Sequence, residues 1–509
     1  MNKIITKQEF AEKIRPELKK NGKTIALCHG VFDLVHPGHI VHLKQASEIA
    51  DVLVVSITAS EYVRKGPGRP YFDDATRMNF LSAIEYVDYV MLSECFTVDD
   101  IIRAVEPDFY VKGEEYSSSE NDITGKIDSE RRLVEQHGGK MYFTTGQVFS
   151  STRIINTMLD GLPEEVVSFM ENFRYRHSMS EIRKIADNSA KLNILVIGDL
   201  IIDRYSYCIV HGLINKDAVY SSRLENTEDF AGGSAAVARH LASFAGKITL
   251  VAAVGNNDYS LSSLNMPDNI RTLFFESKER ATIIKQKYLT HGGKRQEYRK
   301  YFGVHNIPRF PSYEEELHDK INDFLNSSIE DFDAVFLCDF GHGLLAPSTM
   351  NILQDRAKYL ILNCQNNSAN YGTNPITKYR RADLFCLDQQ ELFLAMPMYL
   401  GDEENALREL AKCLGCSKGC LTRGASGAAY IDGSNFMKCP AFSLHVKDTV
   451  GAGDSFYSVA GIYAAMGASM DIVTVMGNIG GALGANIIGN KEAVEKVNVL
   501  KYAATLMNV

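Results

Sequence analysis

From Lys23 onward the hydrophobic positions fall into short β-branched blocks separated by amphipathic stretches: TIALCHGVF, HIVHLKQASEIA, DVLVVSIT, TRMNFLSAIEYV, DYVMLS, TVDDIIRAVE and DFYVKG. Short continuous apolar runs predict strands, and the stretches between them, apolar every third or fourth residue, predict helices. Strands without polar alternation belong to a parallel sheet covered on both faces. Residues 1–156 are therefore expected to form a doubly wound α/β domain. Residues 157–191 are charged, helical in pattern and without an apolar strand, which predicts a helical connector. A second α/β region, residues 192–509, opens on LNILVIGDLIID and continues through the strand candidates KITLVAAVG, DAVFLCDF, YLILNC, DLFCLD, GCLTRG and GAAYID. Within it, the alternating polar segment from Ala281 to Val304 predicts the strands of a small lid.

Composition narrows the class. The chain has 509 residues, and at roughly 100–200 residues per domain it holds two to four compact domains. Apolar residues make up 45% and charged residues 23%, which excludes a disordered or fibrous chain. The formal charge is −9 with a sequence pI near 5.9, so nothing draws the chain as a whole to nucleic acid or to an anionic membrane. Small anionic molecules, held locally by helix N-termini and a few cations, are the expected partners. Ten cysteines are too few for a disulfide scaffold, and MNKIITKQEF does not read as a signal peptide, so a cytoplasmic protein is expected. The stretch from Phe456 to Asn490 carries only Asp471 as a charge, but its glycines and alanines and its central MGASMD break suit two buried helices better than a membrane span. Cys413, Cys416 and Cys420 have metal-like spacing without a fourth ligand and are expected to be buried packing residues.

The first chemical cluster follows the first strand: His29-Gly30-Val31-Phe32-Asp33-Leu34-Val35-His36-Pro37-Gly38-His39, opening a helix. Two histidines three apart at a strand-to-helix turn, with several backbone N–H groups, suit a polyphosphate. A metal is the competing reading, since His36, His39 and His42 repeat every third residue, but no carboxylate completes a set. The segment resembles the HxGH signature of cytidylyltransferase-like nucleotidyltransferases. RKGPGRPYFDDATR, PDFYVKGEEY and FSSTRII follow in that family's order. The resemblance implies His36 and His39 as the catalytic pair, with Gly30, Val31, Phe32, Lys65, Arg77, Lys112, Ser150, Ser151 and Thr152 around the nucleotide. Ser150 and Thr152 are also good helix N-caps.

The second cluster is Asp448-Thr449-Val450-Gly451-Ala452-Gly453-Asp454-Ser455-Phe456 ahead of an apolar helix. Small residues at a helix start let backbone N–H groups close around a phosphoryl oxygen, and Asp454 stands where a base could take the proton of an attacking hydroxyl. DTVGAGDSF resembles the second signature of ribokinase-like sugar kinases of the PfkB type, and GDLIID, AGGSAAVARHLASFAG, CDFGHGLL with Asp339, and LTRGASG follow that family in order. By that resemblance Asp454 is the base and Gly451, Ala452 and Gly453 form the anion hole. Asp203, Gly232 and Gly233 would hold the sugar, and Asp388, Glu391, Thr422, Gly424 and Asn478 would lie near ATP. Three positions depart from the family: Ala236 replaces a sugar-touching Asn, the NxxE motif reads Asp388-Gln389-Gln390-Glu391, and an Asp-Pro-Lys stretch reads Asn363-Cys364-Gln365-Asn366-Asn367. An altered sugar preference and a retired active site both account for them.

Together the two halves resemble, in reversed domain order, the bifunctional enzymes that make ADP-heptose for lipopolysaccharide. The resemblance implies ATP or CTP as substrates, Mg²⁺ carried by the nucleotide, a sugar or polyol phosphate as acceptor, and a homodimer. The alternative is a CTP-dependent cytidylyltransferase for a polyol or head-group phosphate, with a catalytically silent kinase-like domain.

Overall fold

The structure is a computed structural model describing residues 3–113, 127–145, 162–214, 219–255, 259, 261–291, 298–307, 313–367, 370–442 and 446–508. The chain divides into two compact units, one built from Met1–Arg176 with Leu500–Val509, the other from His177–Val499.

Unit 1 holds five parallel strands: β1 (Ile25–Gly30), β2 (Val52–Thr58), β3 (Tyr89–Ser93), β4 (Phe109–Gly113) and β5 (Lys140–Thr144), in the order β3-β2-β1-β4-β5. Alternate residues of β1 enter opposite cores. Ile25 and Leu27 pack with Phe10, Val54 and Ile101, whereas Ala26 and Cys28 pack with Leu43, Leu53 and Val55. Both faces are thus covered, as the unbroken apolar runs require, and each fully buried aliphatic side chain contributes about 2 kcal/mol. The strand KMYFT, with only Thr144 fully buried at the sheet edge, escaped the apolar pattern.

Unit 2 contains β6 (Asn193–Gly198), β7 (Leu200–Leu213), β8 (Tyr220–Gly233), β9 (Lys247–Val254), β10 (Ile270–Glu276), β11 (Ile283–His291), β12 (Tyr298–Asn306), β13 (Ala334–Asp339), β14 (Leu360–Cys364), β15 (Leu384–Asp388), β16 (Lys418–Thr422), β17 (Ala428–Asp432) and β18 (Asn435–Cys439). Nine form one sheet, β10-β9-β6-β13-β14-β15-β16-β17-β18, parallel from β10 to β16 and antiparallel in the pairings β16–β17 and β17–β18. The other four form a separate sheet, β12-β11-β7-β8. This lid is larger than the Ala281–Val304 segment suggests, because β7 and β8 add a long antiparallel pair. β8 is mostly exposed and polar along YSSRLENTED, so pairing with β7 rather than burial defines it.

The apolar C-terminal stretch forms two helices, Ala452–Ala465 and Met470–Gly484, buried along most of their length. Gly461 allows the first to lie on the sheet, since a Cβ there would stand 2.3 Å from the Phe336 ring. Among the described residues no helix is long and apolar enough to cross a membrane. The expected connector is two helices, Glu164–Arg176 and Met179–Asn188, which fall in different units. The final residues 500–509 join unit 1 rather than the unit that precedes them in sequence. Of the three clustered cysteines, Cys416 and Cys420 are buried but Cys413 is exposed, because it ends the helix Glu403–Cys413 on its outer side.

Candidate active sites

In unit 1 the strand order reverses between β1 and β4, and a crevice at the carboxyl ends of such a pair is where open α/β sheets bind ligands. Gly30 ends β1 and Lys112 lies near the end of β4. Between β1 and the helix Pro37–Glu48, Phe32 takes a positive φ of 47°. His36 caps that helix, its Nδ1 accepting from the His39 backbone N–H at 3.4 Å. The two imidazoles stack with centroids 3.9 Å apart, and Phe32 packs against His39 at 5.1 Å. Burial pushes the His39 pKa down to about 3, aided by His36, His42 and Lys65. Burial also lowers His36. Both are neutral N–H donors at pH 7. His42 turns away to Thr144 Oγ1, 2.8 Å distant, so the three histidines do not converge.

The Lys65 loop is tied to the same turn. Asp33, buried beneath it, accepts from the backbone N–H groups of Tyr71 at 2.7 Å and Phe72 at 3.1 Å, and pairs with Arg69 at 3.4 Å. Lys65 is half-buried, and its ammonium pKa is lowered by desolvation, with Asp33 opposing and Arg69 and Arg77 adding to the fall. Lys112 pairs with Glu130 at 3.1 Å. Arg77 is fully buried and faces the protein instead of a ligand. It donates to the carbonyls of Phe72, Val31 and Thr58, to Ser60 Oγ, and to Asp74 at 2.6 Å. It therefore ties the histidine turn to β2 and the Lys65 loop. Ser150, Ser151 and Thr152 lie outside the described residues.

In unit 2, Asp454 sits in the first turn of the helix Ala452–Ala465, whose N-cap Gly451 has φ 80°. A Cβ on Gly451 would stand 1.8 Å from Asn490 Oδ1, so only glycine fits. The first-turn amides of Gly453 and Asp454 have no partner within the helix. Burial raises the Asp454 pKa to about 6, against the opposing hydrogen bond from Gln365 Nε2 at 3.0 Å. Asp203 adds to the rise, while Lys285 and Lys287 oppose it. Asp203 pairs with Lys287 at 2.9 Å, and its carboxylate lies against Gly232, where a Cβ would stand 2.3 Å from Oδ2. Gly233, at φ 57°, ends β8 beside it. Asp448 accepts from Tyr205 Oη at 2.8 Å and from Lys300 at 2.5 Å, pinning the DTVGAGD turn to the lid strands.

The expected ATP residues divide. Asp388 and Glu391 form a capping box on the helix Gln389–Ala395. Glu391 also accepts from the Asn366 N–H at 3.0 Å, and burial with nearby Asp388 pushes its carboxyl pKa up. Glu391 thus shapes the Asn363–Asn367 stretch that carries Gln365. Thr422 ends β16 opposite Asp388, and Gly424 is exposed at φ 55° just beyond it. Asn478 donates to the Pro440 carbonyl at 2.7 Å, an intramolecular tie. Ala236 is buried in the helix Ser234–Leu241. Asp339 lies deeper, accepting from Tyr379 Oη at 2.7 Å and pairing with Lys378 at 2.5 Å. Residue-by-residue reading missed Gln365, Lys285 and Lys287 as neighbours of Asp454, since nothing local marks a lysine in a lid strand.

The family profile described as pfkB family carbohydrate kinase matches residues 191–497, and the one described as Cytidylyltransferase-like matches residues 27–185. The chain belongs to the pfkB carbohydrate kinase family and carries a cytidylyltransferase-like domain ahead of it. Among curated proteins, the bifunctional protein HldE of Desulfatibacillum aliphaticivorans is 38% identical over 147 residues, 28% of this chain and 29% of that protein. That of Trichlorobacter lovleyi is 33% identical over 169 residues, 32% of each chain. The matched stretches therefore span about a third or less of these relatives' length. Among solved structures, phosphofructokinase-2 from Escherichia coli in complex with potassium aligns with 62% of this chain and 99% of its own, at 16% identity and a TM-score of 0.49.

Proposed function

We propose that unit 1 transfers a nucleotidyl group from ATP or CTP to a sugar or polyol phosphate, and that unit 2 uses ATP to phosphorylate a sugar, the pair serving nucleotide-sugar synthesis for a surface polysaccharide. The observation that carries this reading is the assembly of Gly451, Gly453, Asp454 and Asp203 in one unit and of the stacked His36–His39 pair in the other.

In unit 1 a phosphate oxygen of the acceptor attacks the α-phosphorus, and the bond to the β-phosphate bridging oxygen breaks to release pyrophosphate. Neutral His36 and His39 donate hydrogen bonds to the oxygens where charge builds, and Lys65 supplies positive charge. In unit 2 the sugar hydroxyl gives its proton to Asp454, its oxygen bonds to the γ-phosphorus, and ADP leaves. The amides of Gly453 and Asp454 stabilise the transferring group. Mg²⁺ carried by the nucleotide would supply further neutralisation of phosphate charge. Lys285 and Lys287 favour an anionic acceptor. The reading places the enzyme in the cytoplasm as a homodimer.

One observation favours the second reading, in which unit 2 is silent and unit 1 is a CTP-dependent cytidylyltransferase for a polyol or head-group phosphate. Gln365, not lysine, stands against the base. The deciding experiment incubates the protein with Mg²⁺, an equal mixture of ATP, CTP, GTP and UTP, and a pool of sugar and polyol phosphates, with mass spectrometry of the product and His39→Ala as control. A nucleotide-linked product absent with His39→Ala supports transfer, and its absence from both defeats it. Loss of ATP-dependent phosphorylation in Asp454→Asn supports the kinase. No phosphorylation of any sugar by the unaltered chain supports the silent form.

A further inference from the structure

Tyr502 is buried in unit 1, within the helix Lys496–Met507, far in sequence from everything that marks the nucleotidyl site. Its ring lies directly on Gly66, the residue after Lys65. A Cβ at Gly66 would stand 2.1 Å from Tyr502 Cδ2 and 2.3 Å from Cε2, and Gly66 holds φ at 101°. No other residue type could occupy this backbone against this ring. The loop is braced as well by Asp33, which holds the Tyr71 and Phe72 amides and Arg69. Arg69 is in turn close enough to Tyr502 to feel it electrostatically. Lys65 thus immediately precedes two anchors, the ring of Tyr502 on Gly66 and the carboxylate of Asp33 on Arg69, Tyr71 and Phe72, and lies near enough to His39 to disfavour protonation of that histidine. A loop whose lysine must meet a polyphosphate gains affinity when its conformation is fixed before the ligand arrives.

We infer that Tyr502 is a positioning residue for nucleotidyl transfer, holding the Lys65-Gly66 turn in the conformation that presents Lys65 to the nucleotide phosphates beside His36 and His39. The inference rests on the reading of unit 1 as a nucleotidyltransferase. It assigns part of that site to a residue some 440 positions away, at the other end of the chain. Nothing in the sequence around LKYAATLM announces such a role.

The test compares Tyr502→Ala, Tyr502→Phe and Gly66→Ala in the full chain. Three quantities are measured: KM for the nucleotide against kcat in nucleotidyl transfer, amide hydrogen exchange of residues 62–72, and sugar phosphorylation as an internal control. Tyr502→Ala is expected to raise nucleotide KM at least tenfold with kcat within threefold, to speed exchange in 62–72, and to leave phosphorylation unchanged. Tyr502→Phe, which keeps the ring, should stay within twofold of the unaltered chain. Gly66→Ala disturbs the same contact from the loop side and should reproduce the KM rise. Unchanged KM and unchanged exchange in Tyr502→Ala overturn the inference, as does a lowered melting temperature with both intact. Where Tyr502→Ala does not fold, Gly66→Ala decides by the same criteria. If the unaltered chain transfers no nucleotide at all, the reading of unit 1 fails, and exchange of 62–72 still reports whether Tyr502 orders the loop.

Discussion

Gln365 donates from its side-chain amide to one carboxylate oxygen of Asp454, 3.0 Å away, leaving the other oxygen to accept a substrate proton. The amide stabilises the ionised carboxylate, while burial works against it and holds the pKa at about 6. The base must be ionised to act. Phosphoryl transfer is therefore expected to rise with pH through about 6 and to level off above 7. Replacing Gln365 by Leu removes a bond to the charged form, so the acid limb should move up by about one unit. A kcat/KM profile between pH 5 and 8 for both proteins checks this. Asp454→Asn should lose about a thousandfold or more at every pH.

The histidine pair predicts the opposite pH behaviour. His39 is held down to about 3 and His36 is lowered in the same direction, both by burial. In the free protein His39 gains no proton between pH 5 and 8, and His36 titrates below the ordinary imidazole range. The kcat/KM for nucleotidyl transfer should show no limb from His39 in that range, and His36→Ala or His39→Ala should each cost about a hundredfold or more. A limb near 6.5 that disappears in His39→Gln would contradict the assignment.

Arg77 predicts a loss of stability rather than of affinity. Its donors reach Phe72, Val31, Thr58, Ser60 and Asp74, so Arg77→Ala strands several buried carbonyls and costs about 3 kcal/mol. Calorimetry should show the unfolding of unit 1 at lower temperature, with sugar phosphorylation by unit 2 retained. A tenfold nucleotide KM rise without any thermal shift would instead return Arg77 to direct nucleotide contact.

Gly232 tests the acceptor side of unit 2. A methyl group there would stand 2.3 Å from Asp203 Oδ2, displacing the carboxylate and its pair with Lys287. Gly232→Ala is expected to raise acceptor KM at least tenfold while ATP KM changes less than threefold. Steady-state kinetics with each substrate varied in turn distinguishes this from a general loss of fold.

Much of the architecture was legible because the cores are built from continuous apolar runs. Ile25–Cys28 and Ala334–Cys338 can only be strands buried on both faces. The edge strands β5, β8, β10 and β18 were not, since a strand with one solvated face or polar side chains owes its existence to its neighbour. Among the proposed site residues, the placement of His36, His39, Gly451 and Asp454 was legible, because glycine, proline and a helix start impose those positions locally. The role of Arg77 was not, because an arginine on a helix reads the same whether it meets phosphate or carbonyl oxygen.

The sequence by itself determined the two α/β units, their order along the chain and the two helix-start motifs, because period, β-branching and turn residues act over a few neighbours. Only the tertiary structure decided what surrounds them. Lys287 pairs with Asp203, both lid lysines act on the charge of Asp454, Glu391 turns to the Asn366 amide, and Tyr502 lies on Gly66. Each of these contacts joins residues brought together by packing, whose chemistry depends on distance in space and leaves no trace in local spacing.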